Sequence, residues 1–456
     1  MPLNHIISGA GPGIYLDREY SNIFYSIGFL NSIISFYLIN CLNPTVNNTE
    51  GDIKRIPFVT PNSDIENKVS KLVKLNINIK KELAKYRIIE IEFEQNPLDK
   101  YLESNLQNRL LEYLNTENIG LTEVLVNEAI INELIFEVYE LNDDDKNKVI
   151  STMGQPIGSF PVIKTAKNFC SEINNEFVKE YINSLPEIVY ENNFIKEIKE
   201  NFNSLYQGNS NLEEFCIKYQ VNPINVWYWF KEEKFLPDSV ASEYALEFLA
   251  DTFRTLLMED EDGIIPLVGL PGEDALSQRF EQYCLQNGFT SAQFLQLDGL
   301  LGKPLNQYIE HHFFSSFADH VKLFKQMPST PFIWHLSSGK HQGFEAYIII
   351  YKWNRDSLFK LKTQYLAHRV ENLEYRLIQL QDVNTAQAQN EKETIRHQLD
   401  EIKVFTAKID ELIAEGYDPK LDDGVGKNIA PLQKKGLLRA DVLKAPQLTK
   451  YLNADW

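Results

Sequence analysis

Cysteine is scarce in this chain, with four in 456 residues. Cys41, Cys170, Cys216 and Cys284 lie far apart with no CxxC pair, which argues against a zinc ribbon and against a disulfide-built secreted scaffold. Basic charge is also in deficit: 45 Lys and Arg stand against 64 Asp and Glu, a formal net charge of −19. Phosphate contact needs clustered Lys and Arg, so a chain of this balance repels nucleic acid at long range and is not expected to bind DNA tightly by itself. Long apolar runs are missing too. The richest stretch, residues 28–42, is shorter than the roughly 20 residues of a spanning helix and is interrupted by Asn31, Ser32, Ser35 and Asn40. The N-terminus has neither a basic n-region nor a cleavage signature, so a cytoplasmic location without membrane contact is expected. There is no HExxH. His311, His312, His320 and His335 are the one concentration of histidine, and a zinc site needs three or four converging ligands, so no metal ligand set is predicted.

Enough apolar residues remain for real cores, at 43% of the chain, and the length suggests about two to three domains. The fold class expected is mainly α with small β elements (α+β), a helical multi-segment module ending in an antiparallel helical hairpin. Three zones are read along the chain. Residues 1–95 open with short β-like pieces and a buried apolar helix over 23–42. A helix follows over 69–86, then a strand or amphipathic helix over 87–94 (RIIEIEFE). Residues 96–302 are mostly helical, with apolar residues at three- and four-residue spacing over 98–113 and 121–141 and a Pro- and Gly-rich break at 154–162. Residues 303–456 carry two strands, 331–336 and 344–351, around the turn 337–343. Two long helices come next. Leu366, Val370, Leu373, Leu377 and Leu380 line one, and Ile395, Leu399, Ile402, Phe405, Ile409 and Leu412 the other. The apolar-poor segment 382–390 is their tip, and a coiled-coil hairpin is the natural product.

Several segments invite chemistry, and each has a plainer reading. Gly9-Ala10-Gly11-Pro12-Gly13 resembles a cofactor loop but lacks the preceding strand and the following alternation of strands and helices, so it reads as a turn. Residues 142–148 (NDDDKNK) lack the glycine and distal glutamate of an EF-hand and read as a polar linker. Residues 259–262 (EDED) read as a solvated acidic turn. The Ser-Ser-Gly-Lys of the 337–343 turn lacks the first Walker glycine and sits in a hairpin rather than ahead of a helix. Trp227, Tyr228, Trp229 and Phe230, in the densest aromatic cluster (VWYWF), are interface candidates, with a core or domain contact as the commoner role. Lys54 and Arg55, and Lys427, Lys434, Lys435 and Arg439 near the end, are DNA-contact candidates against a solvated-surface alternative.

The tail, residues 415–438 (EGYDPKLDDGVGKNIAPLQKKGLL), is turn-rich. Asp422, Asp423, Gly424 and Gly426 do not favour helix, while Ile429, Pro431 and the Leu437–Leu438 pair give it apolar anchors. Such a segment is expected to dock. Together with residues 28–57 (GFLNSIISFYLINCLNPTVNNTEGDIKRIP) and 317–351 (FADHVKLFKQMPSTPFIWHLSSGKHQGFEAYIIIY), it resembles the adenine-specific DNA methyltransferases of phage defence, the BREX (PglX-like) enzymes and their type IIG relatives. The three segments occur in the family's order and run nearly the full length of the chain.

The resemblance implies transfer of a methyl group from S-adenosylmethionine to adenine N6 by the whole enzyme. That chemistry uses an Asn/Asp-Pro-Pro-Tyr/Phe tetrapeptide to hold the flipped base. The chain has none: Asn43-Pro44-Thr45 and Asn222-Pro223-Ile224 share only its first two residues. The expectation is therefore a non-catalytic C-terminal portion, from a split subunit or a truncated gene product. It would complete target recognition over residues 1–95 and carry no cofactor of its own. S-adenosylmethionine is expected on a catalytic partner half, double-stranded DNA in the assembled enzyme, and other defence-system proteins as partners. A stand-alone helical interaction scaffold, or the relic of a broken methyltransferase gene, is the alternative.

Overall fold

The computed structural model describes residues 22–45, 49–206, 212–322 and 329–454, apart from the side chains of residues 169 and 170. The glycine run 9–13 lies outside the described residues. The architecture is mainly helical with five short strands among the described residues, as the apolar periodicity predicts. Two compact units are present. Met1–Gln95 and Leu110–Val240 form one; Asn96–Arg109 and Ala241–Trp456 form the other.

In the first unit the apolar stretch predicted as one helix is two, Ile23–Leu30 and Ile33–Leu42, bent by 65°. Asn31 and Ser32 cause the break. The Asn31 amide donates back to the Ile27 carbonyl at 2.9 Å. The Ser32 hydroxyl donates to the Phe29 carbonyl at 2.7 Å and caps the second helix by accepting from the Ser35 N–H. The freed Ile33 N–H is met by Asn132 Oδ1 at 2.7 Å. No single helix among the described residues is long and apolar enough to cross a membrane. The bent pair contributes Tyr25, Phe29, Ile34 and Ile39 to a core shared with Val69, Leu72, Val126, Ile130 and Ile135.

Three further local expectations give way. Residues 87–94 are turns rather than strand or helix: the alternation is there, but Ile89 and Ile91 point to solvent, so it buries no face. Residues 98–113 and 121–141 are not two helices. After a short helix, Pro97–Lys100, a single helix runs from Leu106 to Val138, through the polar residues 115–118. The polar linker at 142–148 is a helix start. Asn142 Oδ1 accepts from the Asp145 N–H at 2.9 Å, and Asp143, Asp144 and Asp145 fill the first turn of Asp143–Met153, where acidic side chains favour the helix dipole.

Strands β1 (Val162–Ile163) and β2 (Glu187–Ile188) form a small parallel pair. Beside them Gly158 lies against the helix Leu106–Val138. A Cβ there would sit 2.4 Å from the Leu125 carbonyl oxygen, so only glycine fits. The helix Pro223–Glu233 is capped by Asn222, whose amide also donates to the carbonyls of Gly158 and Phe160.

The second unit holds a three-stranded antiparallel sheet, β3 (Ile264–Pro266), β5 (Glu345–Ile349) and β4 (Ile333–Ser337), with β5 central. All three are buried. β4 and β5 match the predicted hairpin; β3 was not foreseen. The acidic run ahead of it is only partly solvated: Glu259 and Glu261 are exposed, Asp260 and Asp262 half-buried. Asp260 accepts from the Gly263 N–H at 2.9 Å and pairs with Arg279 at 2.8 Å, which aims the chain into β3.

Two long helical runs then fold back on each other. Ser357–Lys360, a π-turn at Leu361–Leu366 and Ala367–Leu380 make the first, and Ala386–Ala414 the second. Arg376 pairs with Glu391 and Lys362 with Asp410, so the runs are antiparallel. The tip is shorter than predicted because Thr385 caps the second helix. Lys392 ties the tip by donating to the carbonyls of Gln381 and Val383.

Candidate functional site

The tail is docked within the second unit, and it forms more helix than its glycines suggest. Gly424–Lys434 is helical even with Pro431 inside it. Gly426 is tolerated there because the Tyr451 ring fills the position a Cβ would take, 2.4 Å away. Two buried amides stitch the segment. Asn428 exchanges hydrogen bonds with the backbone of Lys420 at 2.6 and 3.1 Å. Gln433 donates to the Leu443 carbonyl and accepts from the N–H groups of Val442 and Leu443. The chain leaving this helix then runs along the free side of β4. Leu438 bridges Leu336, the Ser337 N–H donates to the Leu437 carbonyl and the Arg439 N–H to the His335 carbonyl, each at 2.9 Å. The exposed edge of a short sheet is thereby covered.

Arg439 reaches over this edge to a buried polar group. Its guanidinium lies 3.4 Å from Glu345 Oε1 and 2.8 Å from His311 Nδ1. Glu345 also accepts from the Ser337 hydroxyl at 2.8 Å and the Gln342 amide at 3.2 Å. Burial pushes the Glu345 carboxyl up to about 7, with Ser337 and Arg439 opposing. His335, stacked on Tyr347 at 4.4 Å between centroids, is pushed down to about 3 by burial and by the charge of Arg439. Its Nε2 has no hydrogen-bond partner and lies 3.9 Å from Glu345.

The turn between β4 and β5 is closed from the helical hairpin. Glu401 accepts from the His341 N–H at 2.8 Å and sits 3.4 Å from both the Gly343 N–H and the Ser338 hydroxyl. A carboxylate thus takes up donors along the 337–343 turn, of which the Ser338 hydroxyl belongs to the Ser-Ser-Gly-Lys stretch. His341 stacks on His397 beside it.

Most of the basic candidates are engaged with acidic side chains. Lys54 pairs with Glu50, Lys427 with Asp423 at 3.4 Å, and Lys435 with Glu411 and Glu415 at 2.9 and 2.6 Å. Arg439 holds Glu345, while Arg55 and Lys434 are exposed. Lys54 and Arg55 belong to the first unit and the other four to the second. The aromatic cluster faces inward. Trp227, Trp229 and Phe230 are buried, Tyr228 is half-buried, and the Trp227 Nε1–H donates to Asn115 Oδ1 at 2.9 Å.

One convergence of ligand-type side chains escaped the sequence. Glu243 and Glu247, one turn apart on the helix Asp238–Glu259, meet His320 at the end of the helix Phe313–His320. His320 Nε2 is 2.7 Å from Glu247 Oε1, and Nδ1 is 3.6 Å from Glu243 Oε1. Glu247 is fully buried. The four-residue Glu spacing is visible in the chain, but its histidine lies 73 positions beyond Glu247. The neighbours His311 and His312 do not join it.

By fold, the second unit is a helix-covered sheet whose free β4 edge is sealed by its own tail. No family model matches the chain. It is 23% identical over 472 aligned residues to the adenine-specific methyltransferase BrxX of Escherichia coli O9:H4 (strain HS), a match covering 97% of this chain and 35% of that protein. It is 27% identical over 139 residues to the adenine-specific methyltransferase PglX of Lacticaseibacillus casei (strain Zhang), covering 29% of this chain and 11% of the relative. Over nearly its whole length the chain is thus similar to an adenine-specific methyltransferase, and it spans about a third of the length of that relative.

Proposed function

We propose that this chain is the C-terminal target-recognition and scaffold part of an adenine-N6 DNA methyltransferase in a phage-defence system, and that it is non-catalytic by itself. The observation that carries this reading is a relationship spanning 97% of the chain without the Pro-Pro tetrapeptide that adenine chemistry requires. S-adenosylmethionine then binds to the catalytic half, and double-stranded DNA is held in the assembled enzyme. The charge pattern supports the scaffold role. At a net charge of −19, with four of six basic candidates paired to carboxylates, the chain lends contacts to a complex rather than capturing DNA alone.

The test is a methyl-transfer assay with labelled S-adenosylmethionine and the phage or plasmid DNA of the host. The purified chain alone incorporates nothing, and the chain with a catalytic half methylates adenine. Incorporation by the chain alone overturns the reading.

A further inference from the structure

Glu243, Glu247 and His320 converge from two helices of the second unit, with one ligand-type atom from each lying within 4.8 Å of the others. Three features separate this group from an ordinary surface ion pair. Glu247 is fully buried and His320 nearly so, at 0% and 10% side-chain exposure, while Glu243 at 29% leaves one side open. Both ring nitrogens of His320 face carboxylates. The carboxylates also head a longer acidic column. Asp251, four residues beyond Glu247, is held above the ordinary carboxylate range by burial, with Glu247 adding to the rise, and Asp99 beside Asp251 is pushed up to about 7. Arg254 pairs with Asp251, and Arg109 lies close enough to Asp99 to oppose its rise.

We propose that Glu243, Glu247 and His320 bind one divalent first-row transition cation, zinc or manganese. Two carboxylates and one imidazole, with no thiolate, are the donor set of such ions. One ring nitrogen of His320 takes the cation together with one oxygen from each carboxylate, the three ligand atoms lying within 4.8 Å of one another. Ligand atoms around a tetrahedral zinc stand roughly 3.3 Å apart, given bonds of about 2.0–2.2 Å. The 2.7 and 3.6 Å contacts are made by different ring nitrogens, Nε2 and Nδ1, so one of them becomes a ligand-to-ligand separation and the other carboxylate turns toward the nitrogen that takes the cation. Three protein ligands leave a fourth position on the side of Glu243 for water or a partner's donor. The cation ties the helix Asp238–Glu259 to the helix Phe313–His320. This inference stands apart from the methyltransferase reading and survives its failure.

The full chain is stripped with EDTA, loaded separately with Zn²⁺ or Mn²⁺, desalted and measured by elemental mass spectrometry and by thermal melting. The expected result is one equivalent of one of these ions per chain and a higher melting temperature with metal. Glu243→Gln and His320→Gln each lower the affinity by about tenfold or more and abolish the melting shift. Far-UV circular dichroism checks that both variants fold. If His320→Gln does not, the half-exposed Glu243→Gln decides. Retention no higher than a buffer blank overturns the proposal and leaves an imidazole clamped by two carboxylates. Unchanged retention in the variants also overturns it, since the ion then binds elsewhere.

Discussion

Replacing Glu345 with glutamine should make the second unit less sensitive to alkali. In the fold this carboxyl titrates near 7, against an ordinary value of 4.5. A raised acid binds its proton more tightly when folded, so the stability it contributes is complete below pH 4.5 and is lost as pH rises through about 7. The interval is roughly 2.5 units, worth about 3 kcal/mol at about 1.4 kcal/mol per unit. Arg439, 3.4 Å away, already limits that loss. Asp99 and Glu128 are also pushed up to about 7 by burial, so the whole chain loses stability over this range and only a difference isolates Glu345. Urea denaturation of wild type and Glu345→Gln at pH 5 and pH 8 supplies that difference. Glutamine keeps an oxygen for the Ser337 hydroxyl. The variant should therefore lose about 3 kcal/mol less than wild type between the two pH values. Parallel losses would refute the argument, because Glu345 would then be solvated or fully compensated.

At the acid end the sign reverses for His335, which is buried neutral with its value lowered to about 3: its contribution is lost as pH falls below about 6.5, and His335→Gln should flatten the loss between pH 6 and pH 4. Gly158→Ala should destabilise the first unit by about 2 kcal/mol or more, because its Cβ meets the Leu125 carbonyl, which cannot swing aside; calorimetry reads this as a drop of several degrees in one transition. Glu401→Ala removes an acceptor from the β4–β5 turn and should cost about 2 kcal/mol, with hydrogen exchange rising at His341 and Gly343. Leu437→Ala, at a buried anchor of the tail, should cost about 2–3 kcal/mol and free the edge of β4, so light scattering on heating should increase.

Much of the helical content was legible because its apolar residues recur at helical spacing. The paired runs 357–380 and 386–414 show it most clearly: Leu373, Leu380, Ile395, Ile402 and Ile409 are all buried. The β4–β5 hairpin was legible from its aromatic and branched residues. The failures share a cause. Periodicity places apolar faces but carries no information on where a polar side chain finds its partner. Asn142 and Asn31 read as linker or interruption, and both act as caps. The helix Gly424–Lys434 runs against local propensity because Tyr451 packs on Gly426 and its own Asn428 and Gln433 tie it to the backbone of Lys420 and Leu443. Asp260 turned the acidic run toward β3 through Arg279, a partner 19 residues on. For the same reason the convergence of His320 with Glu243 and Glu247 was invisible: the helices that bring them together are distant in the chain.

The most direct test of the central claim is affinity purification of the tagged chain from its native cells, read by mass spectrometry. The account predicts recovery of the Asn/Asp-Pro-Pro-Tyr/Phe tetrapeptide, on a separate protein or on a longer form of this polypeptide, together with other defence-system proteins. Recovery of the chain without any protein carrying that motif would contradict it and leave an interaction scaffold that has parted from methyl transfer.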